Sequence, residues 1–95
     1  MGRGIVIGID VKENIDKVIK EVATTQKIKL PVLQDHLEIV DDLGFTSFSV
    51  GLLITKLEDL FNVDPFEDEE VMIDDMRTIK GICAVYTNCI EKNNL

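Results

Sequence analysis

The chain has 95 residues, of which 45% are hydrophobic, and its 18 acidic and 10 basic residues give a formal net charge of −8. This length predicts one compact domain whose core needs neither disulfides nor metals. The negative charge excludes nucleic acid as an expected partner and favours proteins with basic docking faces, although it also serves solubility.

Residues 1–10 contain an apolar stretch, from Ile5 to Ile9, bounded by glycines and typical of a short strand. No later segment offers partner strands, so we interpret residues 1–10 as an N-terminal tail that folds back on the domain. The stretch is shorter than the run of about 18 apolar residues that a membrane helix needs. It also lacks the cleavage site of a signal peptide. We therefore expect no membrane insertion.

Helical spacing of apolar residues begins at Val11 and continues to Lys27. A long connection over residues 28–45 follows, with apolar residues that can pack it against the domain. The clearest helix is predicted for Ser47–Phe61, where Thr46 or Ser47 can cap the first amides.

Two further helical segments are predicted after Pro65, which ends the second long helix. The acidic run over residues 67–70 favours a brief helix, and a last long helix carries apolar residues from Ile79 to Ile90. The elements predict an all-α fold, a small antiparallel bundle of three long helices with one or two short ones. We place the domain at residues 11–91 and expect residues 92–95 to be a frayed C-terminus.

No catalytic or metal site is expected from the remaining reactive residues. His36 is the only histidine and no Gly-x-Ser-x-Gly elbow surrounds Ser47, so a hydrolytic pair of these two residues is disfavoured. The acidic spacing after Asp64 lacks the glycine turn of a calcium loop. Cys83 and Cys89 fall on opposite sides of a helix, which argues against a disulfide and favours a cytoplasmic location.

The central segment resembles the acyl carrier protein family. It reads Asp42-Leu43-Gly44, then Ser47, then Leu57-Glu58-Asp59-Leu60-Phe61. In that family an acidic residue, Leu and Gly lead to a serine at the head of the second helix, which runs into Leu-Glu-x-x-Phe. The resemblance covers about residues 11–90 and implies an acyl-carrier-like fold. It also implies that a phosphopantetheinyl transferase attaches 4′-phosphopantetheine from coenzyme A to Ser47. The thiol of that arm would hold acyl groups as thioesters for fatty-acid, polyketide or related biosynthesis.

Two residues beside Ser47 depart from the family pattern. The family commonly has Asp before the serine and Leu after it, whereas this chain has Thr46 and Phe48. Losing the carboxylate removes a contact to a basic transferase, so the sequence leaves open which transferase acts. Phe48 is either an apolar docking contact or a core residue. The simpler interpretation of Ser47 itself is that it is only a helix N-cap.

A docking surface for partner enzymes is predicted around the arm. Its residues are Asp42, Phe48, Gly51, Leu52, Glu58 and Asp59. Glycine inside a helix costs about 1 kcal/mol relative to alanine, so Gly51 either makes room for the arm, its acyl chain or a partner, or is a tolerated neutral substitution. The expected partners are the transferase and acyl-loading and acyl-processing enzymes. We expect the chain to be a non-catalytic monomer. Two alternatives remain, an aminoacyl or D-alanyl carrier and an unmodified helical interaction domain.

Overall fold

Three α-helices and two 3₁₀ turns make up the regular structure of the described part of the chain. The structure is a computed structural model that describes residues 3–67 and 71–93, with side chains for residues 11–67 and 71–92. The α-helices are α1 (Arg3–Gln26), α2 (Ser47–Phe61) and α3 (Ile79–Asn93). The 3₁₀ turns are Pro65–Glu67 and Ile73–Met76. Across these described residues the fold is small, compact and all-helical, without strands.

Helix α1 begins earlier than the sequence predicts. Residues 3–10, interpreted above as a tail or a short strand, belong to the helix, which starts at Arg3 instead of Val11. Once Val11 and Ile15 are buried in the core, each further helical residue adds a hydrogen bond without a new nucleation step. Met1 and Gly2 lie outside the described residues.

The predicted bounds of the second helix are confirmed, because α2 spans Ser47–Phe61. At its start the side chain of Thr46 accepts a hydrogen bond from the Ser49 N–H at 3.1 Å. At its end Asn62 adopts a left-handed conformation with φ 57°, and its N–H donates to the Glu58 carbonyl at 2.7 Å. Both ends are therefore closed by side-chain or backbone caps.

The core is aliphatic and receives residues from every helix. Ile15 and Ile19 of α1, Leu53 and Leu57 of α2 and Ile79 of α3 have no exposed surface. At the far end of α2, the rings of Phe61 and Tyr86 pack with centroids 5.7 Å apart. Burial of such apolar surface is the main stabilising contribution to a domain of this size.

The connection from α1 to α2 is held against the start of α3 by backbone hydrogen bonds. The Ile39 N–H donates to the Arg77 carbonyl at 2.9 Å, and the Ile79 N–H donates to the Leu37 carbonyl at 3.1 Å. An isolated bridge between Glu38 and Thr78 lies between these two bonds. These contacts bring the residue-38 region and the second 3₁₀ turn to the same end of the molecule.

Helix α3 continues to Asn93, beyond the domain boundary predicted at residue 91. Residues 94–95 lie outside the described residues, as do residues 68–70 of the acidic run. The brief helix predicted for residues 67–70 therefore lies mostly outside the described residues; the described 3₁₀ turn Pro65–Glu67 contains only the first residue of that run. None of the helices that the structure describes is long and apolar enough to cross a bilayer.

Candidate site at the start of helix α2

Ser47 is the first residue of α2, and its side chain is exposed. The N-cap is the preceding residue, Thr46, whose extended backbone (φ −88°, ψ 172°) and side-chain oxygen close the first turn. The Ser47 hydroxyl makes no hydrogen bond within the described part of the chain. The interpretation of Ser47 as the helix cap is therefore wrong, and its hydroxyl is free to react.

The first amides of α2 belong to the same helical turn as this hydroxyl. Thr46 accepts hydrogen bonds from the third and fourth amides of α2. The Ser49 N–H donates to its side chain, and the Val50 N–H donates to its carbonyl at 2.9 Å. The N–H groups of Ser47 and Phe48 have no partner within the described residues. Unpaired amides at the positive end of a helix dipole favour an anionic group beside Ser47.

Ser49 supports the cap from inside the protein. It is only 1% exposed, and its hydroxyl lies 3.0 Å from the Thr46 hydroxyl. The Thr46-x-x-Ser49 spacing is a sequence signal for this pairing, but the sequence interpretation did not use it. The pair fixes the backbone on both sides of Ser47 while leaving the Ser47 side chain outside.

The turn before α2 depends on Asp42 and Gly44. The Glu38 N–H donates to the Asp42 carboxylate at 2.7 Å, and the Leu43 N–H donates to the Glu38 carbonyl at 3.0 Å. Gly44 has φ +82°, a conformation that side chains other than glycine rarely adopt. Asp42 remains exposed, so it carries negative charge beside the site in addition to holding the turn.

A cavity of about 310 Å³ opens between α2, the connection and the second 3₁₀ turn. Its walls are largely apolar, from Ile39, Val40, Val50, Leu53, Ile54, Ile73, Met76 and Ile82. Val50 and Ile54 come one and two turns after Ser47, so the helix face that carries the serine continues into the cavity. The sequence interpretation missed this cavity because its walls come from segments far apart in the chain.

Charged groups also line the cavity: Glu38, Asp41, Asp74 and Arg77. The Arg77 guanidinium pairs with the Asp74 carboxylate at 3.2 Å. A hydrogen bond with Asp41, together with desolvation and the charge of the same Asp41, raises the pKa of Glu38. The cavity is therefore apolar along its walls, with carboxylates in excess around it.

Apolar side chains are exposed beside the site. Phe48 is 66% exposed, which excludes the alternative that it is a core residue. Val40 and Ile73, at the cavity, are 55% and 66% exposed, and the neighbouring Met72 is 61% exposed. Large exposed apolar groups combined with carboxylates are typical of docking surfaces.

Gly51 and Leu52 differ in their surroundings. An added Cβ at Gly51 would meet no atom within 4 Å, so glycine is not needed there for packing inside the fold. Leu52 is half-buried and packs against the core. Open space at Gly51 lies one turn after Ser47 on the same face of α2.

Glu58 and Asp59 lie far from Ser47. Eleven residues separate Ser47 from Glu58, about 16 Å along the helix axis. Desolvation and the nearby Asp64 raise the pKa of Glu58. Asp59 lines a groove between α1 and α2 together with Lys17 and Lys56. Phe48 and Gly51 thus lie in the first two turns of α2 with Ser47, Asp42 holds the turn before the helix, and Glu58 and Asp59 lie farther along α2.

Among the described residues, the remaining reactive side chains form no metal or catalytic cluster. His36 is exposed in the connection, and burial raises the pKa of the half-buried Cys83 thiol to about 11. In the ranges 3–67 and 71–93 no group of three or more metal-binding side chains could hold an ion. Asp68 and Glu70, considered above for a calcium loop, lie outside those ranges.

No family model, curated protein or solved structure matches this chain.

Proposed function

We propose that this chain is an acyl carrier protein that is modified on Ser47 by 4′-phosphopantetheine. The observation that carries the proposal is the exposed, unbonded hydroxyl of Ser47 in the first turn of α2, where Thr46 already provides the cap. A serine needed only as a cap would bond to the helix amides itself. This serine is available to a transferase instead.

The residues around Ser47 suit a phosphopantetheine arm. A phosphodiester on the Ser47 oxygen would lie beside the free N–H groups of Ser47 and Phe48, which stabilise negative charge. The space beside Gly51 is open, so the first turn of α2 offers no obstacle to the arm. When bound, the group supplies a terminal thiol for thioester formation. The protein's part is to fix the attachment point through the Thr46 and Ser49 pair.

The cavity beside α2 supports an acyl cargo over an aminoacyl one. Its volume of about 310 Å³ is at the lower end of the range for ligand pockets. An apolar chain entering past Val50 and Ile54 would remove apolar surface from water, which is favourable. An alanyl group would leave most of this space unused, because its single methyl group would cover little of the apolar wall.

The surface around Ser47 supports partners with basic faces. Carboxylates of Asp41, Asp42 and Asp74 are exposed there, and Phe48 offers an apolar contact. The carboxylates speed the encounter with a basic partner, and the Phe48 ring gives affinity when the partner covers it. Thr46 replaces the acid that the family commonly has, so we propose a transferase that does not need this carboxylate.

We also propose the antiparallel, acyl-carrier-like bundle that the sequence predicts. Glu21 of α1 faces Lys56 of α2, with 4.0 Å between their charged atoms. Earlier residues of α1, Asn14 and Lys17, line a groove with the later residue Leu60 of α2. Earlier residues of α1 therefore lie beside later residues of α2, which supports an antiparallel pair.

The test is modification of the full chain by coenzyme A and a permissive phosphopantetheinyl transferase, followed by intact mass measurement. We expect a gain of one phosphopantetheinyl group by the wild-type chain and no gain by Ser47→Ala. The matched control is Thr55→Ala, which removes another exposed α2 hydroxyl and should leave the gain unchanged.

Two results would overturn the proposal. A folded wild-type chain that no transferase modifies would favour the unmodified interaction domain. Modification of Ser47→Ala to the wild-type extent would show that another residue carries the group.

A further inference from the structure

Three lysines form a separate face on the α1 and α2 side of the protein. Lys17 and Lys20 of α1 are exposed, and the Lys56 side chain of α2 is 46% exposed. These lysines, together with Glu21 and Leu60, are called the lysine face below. Two adjoining depressions share Lys17, Glu21 and Lys56, so the face is continuous.

The larger depression is a groove with an apolar part. It encloses about 480 Å³ between α1 and α2 and is lined by Val18 and Leu60 in addition to the charged residues. Val18 is 6% exposed and closes the bottom of the groove, whereas Leu60 is 48% exposed at its side. An apolar side chain from outside could therefore be covered here.

The charge of the lysine face opposes that of the whole molecule. Lys17 and Lys20 make no ion pair within the described residues, and Lys56 lies 4.0 Å from Glu21, at the limit for one. Three ammonium groups thus face two carboxylates, those of Glu21 and Asp59, in a chain of net charge −8. A local positive surface on an acidic protein is complementary to negative groups.

The lysine face points away from Ser47. Lys56 follows Ser47 by nine residues, which places it about 180° round the helix and about 13 Å along the axis. This separation exceeds the screening length of about 8 Å at physiological ionic strength. The acidic surroundings of Ser47 and the lysine face therefore act on different partners without mutual interference.

We propose that the lysine face docks an acidic segment of a partner protein, with carboxylates against the three lysines and an apolar residue in the groove beside Leu60. Binding there leaves Ser47 uncovered, so the partner can hold the protein while other proteins act at α2. The proposal does not depend on modification of Ser47.

Other occupants fit the face less well. An anionic bilayer is an extended surface that would meet the field of the whole molecule, with its charge of −8, and could not enter a groove between helices. A second copy carries the same net charge of −8, which disfavours its association with this chain. A discrete acidic segment meets only the lysine face, which is why charge complementarity favours it.

The test uses the full unmodified chain and a short helical peptide with glutamates at i, i+4 spacing and a leucine on the same face, at i+7. We expect titration to shift backbone amide resonances within residues 14–25 and 56–60, with binding that weakens as salt is added. A matched peptide with lysines in place of the glutamates should cause no such shifts. This footprint is measured on the wild-type chain, so it does not depend on variants.

Charge reversal provides the second measurement. Lys17→Glu combined with Lys20→Glu should weaken peptide binding about tenfold or more. The matched control combines Lys29→Glu with Lys80→Glu, two exposed lysines outside the face, and should weaken it less than about threefold. Ser47→Ala should bind the peptide as the wild-type chain does.

Four outcomes would overturn the proposal. The first is a footprint elsewhere on the protein, and the second is an equal loss of binding in both double variants. The third is tighter binding of the lysine face to phosphatidylglycerol vesicles than to the peptide. The fourth is a dimer in sedimentation equilibrium that the Lys17 and Lys20 substitutions abolish.

Discussion

Gly51 lies within α2 and Gly81 within α3, and the structure predicts opposite effects on stability when each is replaced by alanine. A Cβ at Gly51 would meet nothing within 4 Å, whereas a Cβ at Gly81 would overlap the backbone carbonyl of Asp75. The carbonyl belongs to the 3₁₀ turn Ile73–Met76 and cannot rotate away like the end of a flexible side chain. Gly51 is therefore unnecessary for packing within the fold, whereas Gly81 permits the close approach of the Asp75 carbonyl.

The magnitudes follow from helix propensity and packing. Gly51→Ala gains the helix preference of alanine, so the free energy of unfolding should rise by about 0.5 to 1 kcal/mol. In a domain of this size that change raises Tm by roughly 2 to 8 °C. Gly81→Ala gains the same preference but must displace the Asp75 carbonyl at a cost of about 1 to 3 kcal/mol, so a net loss of up to about 2 kcal/mol is expected.

Urea unfolding followed by circular dichroism measures both changes, with equal slopes required before the midpoints are compared. A destabilised Gly51→Ala or an unaffected Gly81→Ala would refute the packing argument. The same Gly51→Ala protein also tests the functional interpretation of this glycine. If partners approach α2 closely at Gly51, the stabilised variant should be modified on Ser47 more slowly than the wild-type chain.

Four further substitutions test other parts of the account. Thr46→Ala removes the α2 cap and should lower the free energy of unfolding by about 1 kcal/mol in urea titration. Tyr86→Phe removes a buried hydroxyl that has no hydrogen-bond partner among the described residues and should keep or raise that free energy, so a clear loss would contradict the assignment. Desolvation and Asp64 raise the pKa of Glu58, so its carboxyl binds protons more tightly in the folded state, and stability falls as pH rises through that raised pKa. Glu58→Gln should therefore stabilise the protein at about pH 7 and not at about pH 3, as measured by thermal unfolding at each pH. Ile54→Trp fills part of the cavity; it should leave arm attachment intact but speed hydrolysis of an octanoyl thioester and not of an acetyl one, followed by mass spectrometry.

The helices were predictable where apolar spacing and local caps agree. The apolar stripe of Ser47–Phe61 is bounded by Thr46 at one end and Asn62 at the other, and the structure has the same bounds. The start of α1 was not predictable in this way. β-Branched residues between Ile5 and Ile9 favour strands locally, yet a helix that is already packed beyond Val11 extends through them.

The site was predictable only in its local part. Ser47 and its helix come from one continuous segment, so spacing could find them. The cavity joins Ile39 and Ile54 to Ile73, and these residues meet only because backbone hydrogen bonds tie the connection to residues 77–80. Such long-range contacts leave no periodic signal in the sequence. Asp59 was assigned to the Ser47 surface because helix position alone does not reveal that Lys17 lies beside it.

Location of the modification is the most direct test of the central claim. After treatment with coenzyme A and a transferase, trypsin should release residues 30–56 as one peptide, which contains Thr46, Ser47, Ser49 and Thr55. Fragmentation by electron transfer keeps the phosphodiester attached and can assign it to one hydroxyl. The account predicts that the phosphopantetheinyl mass lies on Ser47 alone. A peptide without this mass, or with it on any of the other three hydroxyls, would contradict the account.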